Sequence, residues 1–215
     1  MVEYLNGGLA MKIIDISMSV CFDMPVYKGK ASKRPQISTD SASAPGAAYE
    51  SRLEMNLHTG THIDTPRHIF DNGSTVDTLD LGKVVTKCRV LDFKDADSQI
   101  SKEHLEQKKI SEGDFILIKT KNSYLDILEG DFIFLDKSGA EYLKSKGVIG
   151  VGIDALGIER SQPEHETHKI LLGCDIVILE GLRLKDVEED DYLLVAAPVK
   201  IAGTEAAPVR ALLIK

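Results

Sequence analysis

The chain has 215 residues, 43% hydrophobic and 28% charged, the make-up of a globular protein with room for one sizeable core and no need of a second domain. A net charge of −8 argues against a nucleic-acid surface, and the short basic run Lys28 to Arg34, which lacks interleaved aromatics, reads as loop charge. Three scattered cysteines argue against a disulfide scaffold, and no apolar stretch reaches membrane-spanning length.

Cys88 and Cys174 lie in or beside apolar runs and are expected to be inert buried thiols. Met1 to Met11 lacks the charged-then-apolar order of a signal peptide, so a reducing cytoplasm is the expected compartment. Lys12 to Ser17 reads as an early strand. Val20 to Tyr49, rich in Ser, Ala, Pro, Gly and Lys, reads as a long irregular excursion that serves a site. Arg52 to Leu57 alternates polar and apolar residues as a strand with one buried face does. Lys83 to Phe93, Asp114 to Lys119, Asp131 to Leu135 and Gly147 to Ile153 are further expected strands, followed by Gly173 to Leu179, Tyr192 to Ala197 and Val209 to Leu213. Helices are expected from a Ser101 cap to about Lys109, over Lys137 to Lys146, and over His165 to Leu172. Strands mixed with three short helices indicate an α/β or α+β domain spanning residues 1–215.

Chemistry concentrates in His58-Thr59-Gly60-Thr61-His62-Ile63-Asp64-Thr65-Pro66-Arg67-His68, which holds three of the six histidines. Gly60 permits a tight return and Pro66 stiffens the exit, so a rigid, non-helical segment presents His58, His62 and Asp64, ligand types suited to zinc or manganese. His68 is either a further ligand or a proton acceptor, since its ordinary pKa suits chemistry near neutrality. The remaining ligands must come from distant sequence. His165, His168, Glu180 (at a strand end before Gly181) and Asp154 (after Val151-Gly152-Ile153) are the candidates, each with a structural role as the alternative. Gly147 to Gly152 has GxxGxG spacing but no following helix, which argues against a dinucleotide site.

The positions His58, Gly60, Thr61, His62, Asp64, Pro66 and His68 resemble the signature of the metal-dependent cyclase family, which includes bacterial kynurenine formamidase and isatin hydrolase. The likeness runs from Asp15-Ile16-Ser17 to Pro208-Val209-Arg210. It implies a swivelling β/β/α fold, a mixed barrel-like sheet with flanking helices, in subunits that form homodimers or homotetramers. It also implies that His58, His62 and Asp64 hold one divalent ion, and that His68 is the catalytic base or an added ligand. His168 and Glu180, with Asp64 as bridge, would hold a second ion, leaving His165 outside the pattern. Two departures stand out. Gly157 occupies a position where many members have serine, and Met24-Pro25-Val26-Tyr27 replaces a loop that often carries tryptophan, leaving Tyr27 and Phe22 to form an aromatic wall. The implied activity is hydrolysis of a small amide C–N bond, as in an N-formyl arylamine such as N-formylkynurenine. A cyclic amide or lactone is the catalytic alternative, and a metal-containing binding protein without catalysis the non-enzymatic one.

Overall fold

The computed structural model describes residues 2–6, 9–41, 48–125 and 131–215. Among these, the chain forms β1 (Val2–Asn6), β2 (Leu9–Asp15), β3 (Gln36–Ser41), β4 (Glu50–Glu54), β5 (His62–Asp64), β6 (Val85–Asp92) and β7 (Gln99–Ile100). It continues through α1 (Lys102–Leu105), β8 (Phe115–Lys119), β9 (Phe134–Leu135), α2 (Lys137–Lys146), β10 (Gly150–Ile153) and α3 (Glu166–Leu172). It closes with β11 (Val177–Glu180), β12 (Asp191–Val195), β13 (Ala206–Pro208) and β14 (Leu212–Ile214).

Ten strands form one mixed sheet in the order β1-β2-β14-β12-β6-β8-β10-β11-β5-β13. Its centre, β6-β8-β10-β11, is parallel, and each step along it crosses over through one helix, because parallel neighbours cannot be joined by a tight turn. The flanks are antiparallel. Both faces of the centre are covered, which is why β8 is buried throughout and apolar from Phe115 to Ile118. Alternation sends Ile116 and Ile118 into the core under the helices, with Leu105, Leu143 and Leu171. Phe115 and Leu117 enter a second core on the other face, with Ile63, Val90 and Leu179. A Cβ at Gly150 would lie 2.2 Å from Phe115 Cε2, and one at Gly152 would lie 2.6 Å from Leu117 Cδ2, so these glycines serve packing.

The mixed α/β class and α2 match expectation, the latter with Asp136 accepting from Gly139 N–H at 2.8 Å and Gly147 closing the helix in the left-handed region. Several expectations need correction. The strand near Arg52 is β4, fully exposed, because it pairs only with β3 in a separate hairpin. That hairpin also gives the 20–49 excursion regular structure, although residues 42–47 lie outside the described ones. The helix after Ser101 is a single turn that buries only Leu105. Strand 131–135 shrinks to Phe134–Leu135, and of the expected strand Val209 to Leu213 only Leu212 and Leu213 are in a strand, β14, with β13 ending before it at Pro208. Cys174 is exposed, in the turn after α3, whereas Cys88 is buried as expected.

Candidate metal centre

β5 is three residues long, and its alternation turns His62 and Asp64 to one face and Ile63 into the core on the other. In the antiparallel β5–β11 pair, Glu180 lies directly opposite His62, so two residues 118 positions apart become cross-strand neighbours. The turns beside them interlock. Gly60 and Gly181 both have positive φ, of 73° and 71°, and a Cβ on Gly181 would sit 2.3 Å from the Gly60 carbonyl oxygen. Thr61 closes this joint, its hydroxyl donating to Gly181 O at 2.6 Å and accepting from Met18 N–H at 2.8 Å. Helix α3 then lowers His168 over the same face.

The side chains converge around Asp64. Its Oδ1 lies 2.9 Å from His58 Nδ1 and 3.4 Å from His62 Nε2, and its Oδ2 lies 3.7 Å from His168 Nε2. Glu180 reaches His62 Nε2 through Oε2 at 3.3 Å and His168 Nε2 through Oε1 at 3.5 Å. The His68 ring stands between those of His58 and His168, with centroids at 4.3 and 5.3 Å. His58, Asp64 and His68, and likewise His62, Asp64 and Glu180, bring ligand atoms within 4.8 Å of one another. The fold thus brings together His58, His62, Asp64, His68, His168 and Glu180.

Three atoms here, His62 Nε2 and both Asp64 oxygens, are buried without a hydrogen-bond partner, so the 2.9 Å approach of His58 is not aligned as a hydrogen bond. Each such orphan costs about 1–3 kcal/mol. A cation among them would satisfy all three, and a set of imidazoles and carboxylates suits zinc or manganese.

Outer partners orient the imidazoles. The Gly60 carbonyl accepts from His62 Nδ1–H at 2.9 Å, which turns Nε2 toward Asp64 and Glu180, the nitrogen that would ligate an ion once its proton is displaced. Glu159 accepts from His168 Nδ1–H at 2.8 Å and so directs its Nε2 inward. His165 contacts the same Glu159 oxygen at 2.8 Å from an exposed position. Glu205 lies 3.3 Å from His58 Nε2. Sequence reasoning misses Glu159 and Glu205, since neither stands at a ligand-like spacing from the histidine it meets.

Electrostatics follow from this packing. Burial alone would lower the pKa of His62, but Asp64 and Glu180, helped by the Gly60 carbonyl, outweigh it and lift the value to about 9. Burial opposes charge on His168 too, yet Asp64, Glu159 and Glu180 hold its pKa well above the ordinary one. Burial and Asp64 would raise Glu180, but His168 and His62 bring it down to about 2. His68 behaves differently. Burial dominates, and its pKa falls below the ordinary 6.5 despite Asp64.

The centre opens into a cavity of about 700 Å³ whose walls include Tyr27, Lys33, His68, Gly157, Glu159 and His165. Tyr27 supplies an aromatic wall there. Phe22 does not line it and is 64% exposed. A Cβ on Gly157 would stand 3.3 Å from Tyr27 Cε2, so the missing side chain makes room for that ring. Asp154 lies outside the cluster. It is fully buried and accepts from the backbone and hydroxyls of Thr120 and Ser123, a structural task.

Comparison with known proteins agrees with this geometry. The family model for putative cyclases matches residues 14–160. A kynurenine formamidase of Bacillus thuringiensis subsp. konkukian (strain 97-27) is 31% identical, over 93% of this chain and 96% of its own. The solved structure of a potential metal-dependent hydrolase with cyclase activity is 46% identical with a TM-score of 0.90, covering 95% of this chain and 98% of that one. Isatin hydrolase A from Labrenzia aggregata, at 23% identity and a TM-score of 0.84 over 95% and 93% of the two chains, shares the fold.

Proposed function

The chain belongs to the cyclase family, and from that premise we propose that it is a metal-dependent hydrolase of small amide C–N bonds, with an N-formyl arylamine as the leading substrate. The observation that carries this reading is the trio of buried, unpartnered atoms on His62 and Asp64, beside a cavity of substrate size that His58, Asp64, His168 and Glu180 line. His58, His62 and Asp64 would hold one divalent ion, and His168 and Glu180, sharing Asp64, a second. Zinc and manganese both suit the donors.

Such an ion supplies Lewis acidity, lowering the pKa of water and polarising a carbonyl. The residues of the chain do the rest. His68, kept neutral by its burial, accepts the proton of the attacking water and delivers it to the departing nitrogen. Thr61 gives no proton to this path, because its one hydroxyl proton is donated to Gly181 O. Tyr27 and Gly157 shape the wall that faces the substrate.

The working form is a homodimer or homotetramer in the cytoplasm. The β3–β4 hairpin supports assembly, since it leaves Ile37 and Leu53 more than half exposed, at 58% and 52%. Among the described residues, no helix is long and apolar enough to cross a membrane. Release of formate and amine from N-formyl arylamines by zinc- or manganese-loaded protein, abolished by chelation and restored on reloading, tests the activity. Metal-loaded protein inert toward formamides would overturn it.

A further inference from the structure

One stretch set aside as loop charge contributes to the cavity. Lys28 and Lys33 both line it, on the wall that Tyr27 forms. Their ammonium groups flank one ring, with Lys28 Nζ 5.2 Å and Lys33 Nζ 5.5 Å from the Tyr27 centroid. Neither Nζ has a carboxylate within ion-pair distance among the described residues, although the chain carries 34 acidic residues against 26 basic ones. By contrast, the third cation of the wall, Arg160, is engaged by Asp131 at 2.8 Å.

Two features make the lysines more than solvated surface. Lys33 is about half buried, and that burial lowers its pKa even though Glu180 and Asp64 act to raise it. An ammonium partly withdrawn from water there, with the Tyr27 ring beside it and no carboxylate in contact, gains by meeting an anion. Lys28 adopts φ 58° and ψ 24°, left-handed backbone where glycine or asparagine is cheaper. The tight 26–29 turn, closed by Gly29 N–H donating to Val26 O at 2.9 Å, aims its side chain over the Tyr27 ring.

We propose that Tyr27, Lys28 and Lys33 form an anion-reading wall, so that the amide substrate of this enzyme carries a carboxylate beside its planar part. The Lys33 ammonium receives that carboxylate, Lys28 adds a second positive charge at the mouth, and the Tyr27 ring lies along the substrate between them. This rests on the hydrolase reading for the word substrate, while the recognition itself is a binding property. An uncharged substrate would leave Lys33 desolvated and unpaired in the complex, so the wall discriminates against it.

Calorimetric titration of metal-loaded protein with 2-aminobenzoate and with its neutral isostere 2-aminobenzamide tests the wall without requiring turnover. The wild type should bind the acid about tenfold more tightly, as expected for a hydrogen bond between charged groups. Lys28→Gln with Lys33→Gln should bring the two ligands to near parity while metal content, read by mass spectrometry, stays unchanged. Equal affinities in the wild type would overturn the proposal. So would a preference that survives in the double variant, which would place the carboxylate on the ions, or one that disappears together with the metal. Failure of formamide hydrolysis alongside an intact acid preference would remove the proposed activity and leave the wall standing.

Discussion

Glu159 Oε1 lies 2.8 Å from His168 Nδ1, and this contact decides which nitrogen of that imidazole faces Asp64 and Glu180. Glu159 is itself buried and held by the Thr167 N–H on its other oxygen at 2.9 Å. Replacement by glutamine keeps the shape but removes the charge, and its amide offers an N–H2 as well as an oxygen, so His168 no longer meets an acceptor-only partner that fixes its tautomer. Glu159→Gln should weaken metal binding by about 10- to 100-fold, the usual range for such outer partners, with the circular dichroism spectrum unchanged. Chelator competition reads the affinity, and an unchanged value would remove the orienting role.

The Gly60–Gly181 joint makes an asymmetric prediction. Alanine at either position meets the left-handed backbone, at about 1–2 kcal/mol. At Gly60 the added Cβ meets only the mobile end of Met24, 3.0 Å away, whereas at Gly181 it strikes the Gly60 backbone at 2.3 Å. Gly181→Ala should therefore separate Glu180 from His62 and abolish metal retention, while Gly60→Ala keeps most of it. Comparable metal content in the two variants would contradict the packing argument.

His62 sets a pH dependence. In the ion-free chain its pKa is raised from 6.5 to about 9. A value raised on folding contributes stability that is fully present below pH 6.5 and is lost as the pH climbs through 9. His168, raised by the same carboxylates, adds a contribution of the same sign. Chelated protein should melt at progressively lower temperature between pH 6.5 and 9. Loaded protein should escape most of this decline, because the ion displaces those protons. Thermal melts of both forms across this range check it, and a flat profile for the chelated form would count against it.

His68 separates catalysis from ligation. His68→Ala should keep most of the bound metal and lower kcat by about 100- to 10,000-fold, the scale of a lost general base. Parallel loss of metal and activity would make His68 a ligand.

The ligand run 58–68 is legible in the sequence because chemistry concentrates there beyond what packing requires, and a glycine and a proline mark it as rigid. The β8 run and helix α2 are legible for a similar reason, since continuous burial and paired caps leave local signals. Other parts depend on tertiary pairing. That Glu180 meets His62 follows from the β5–β11 register, and that Glu159 meets His168 follows from the path of the 157–168 loop. Neither leaves a spacing to read. The β4 strand misleads for the opposite reason. Its alternation is real, but its apolar face meets no core, and Leu53 stays exposed.

Anomalous diffraction from crystals loaded with zinc or manganese, recorded at the absorption edge of each metal, tests the central claim most directly. The account predicts density against Asp64, with His58 and His62 on one side and His168 and Glu180 on the other. Loaded crystals without an anomalous peak within coordination distance of the Asp64 carboxylate would contradict it.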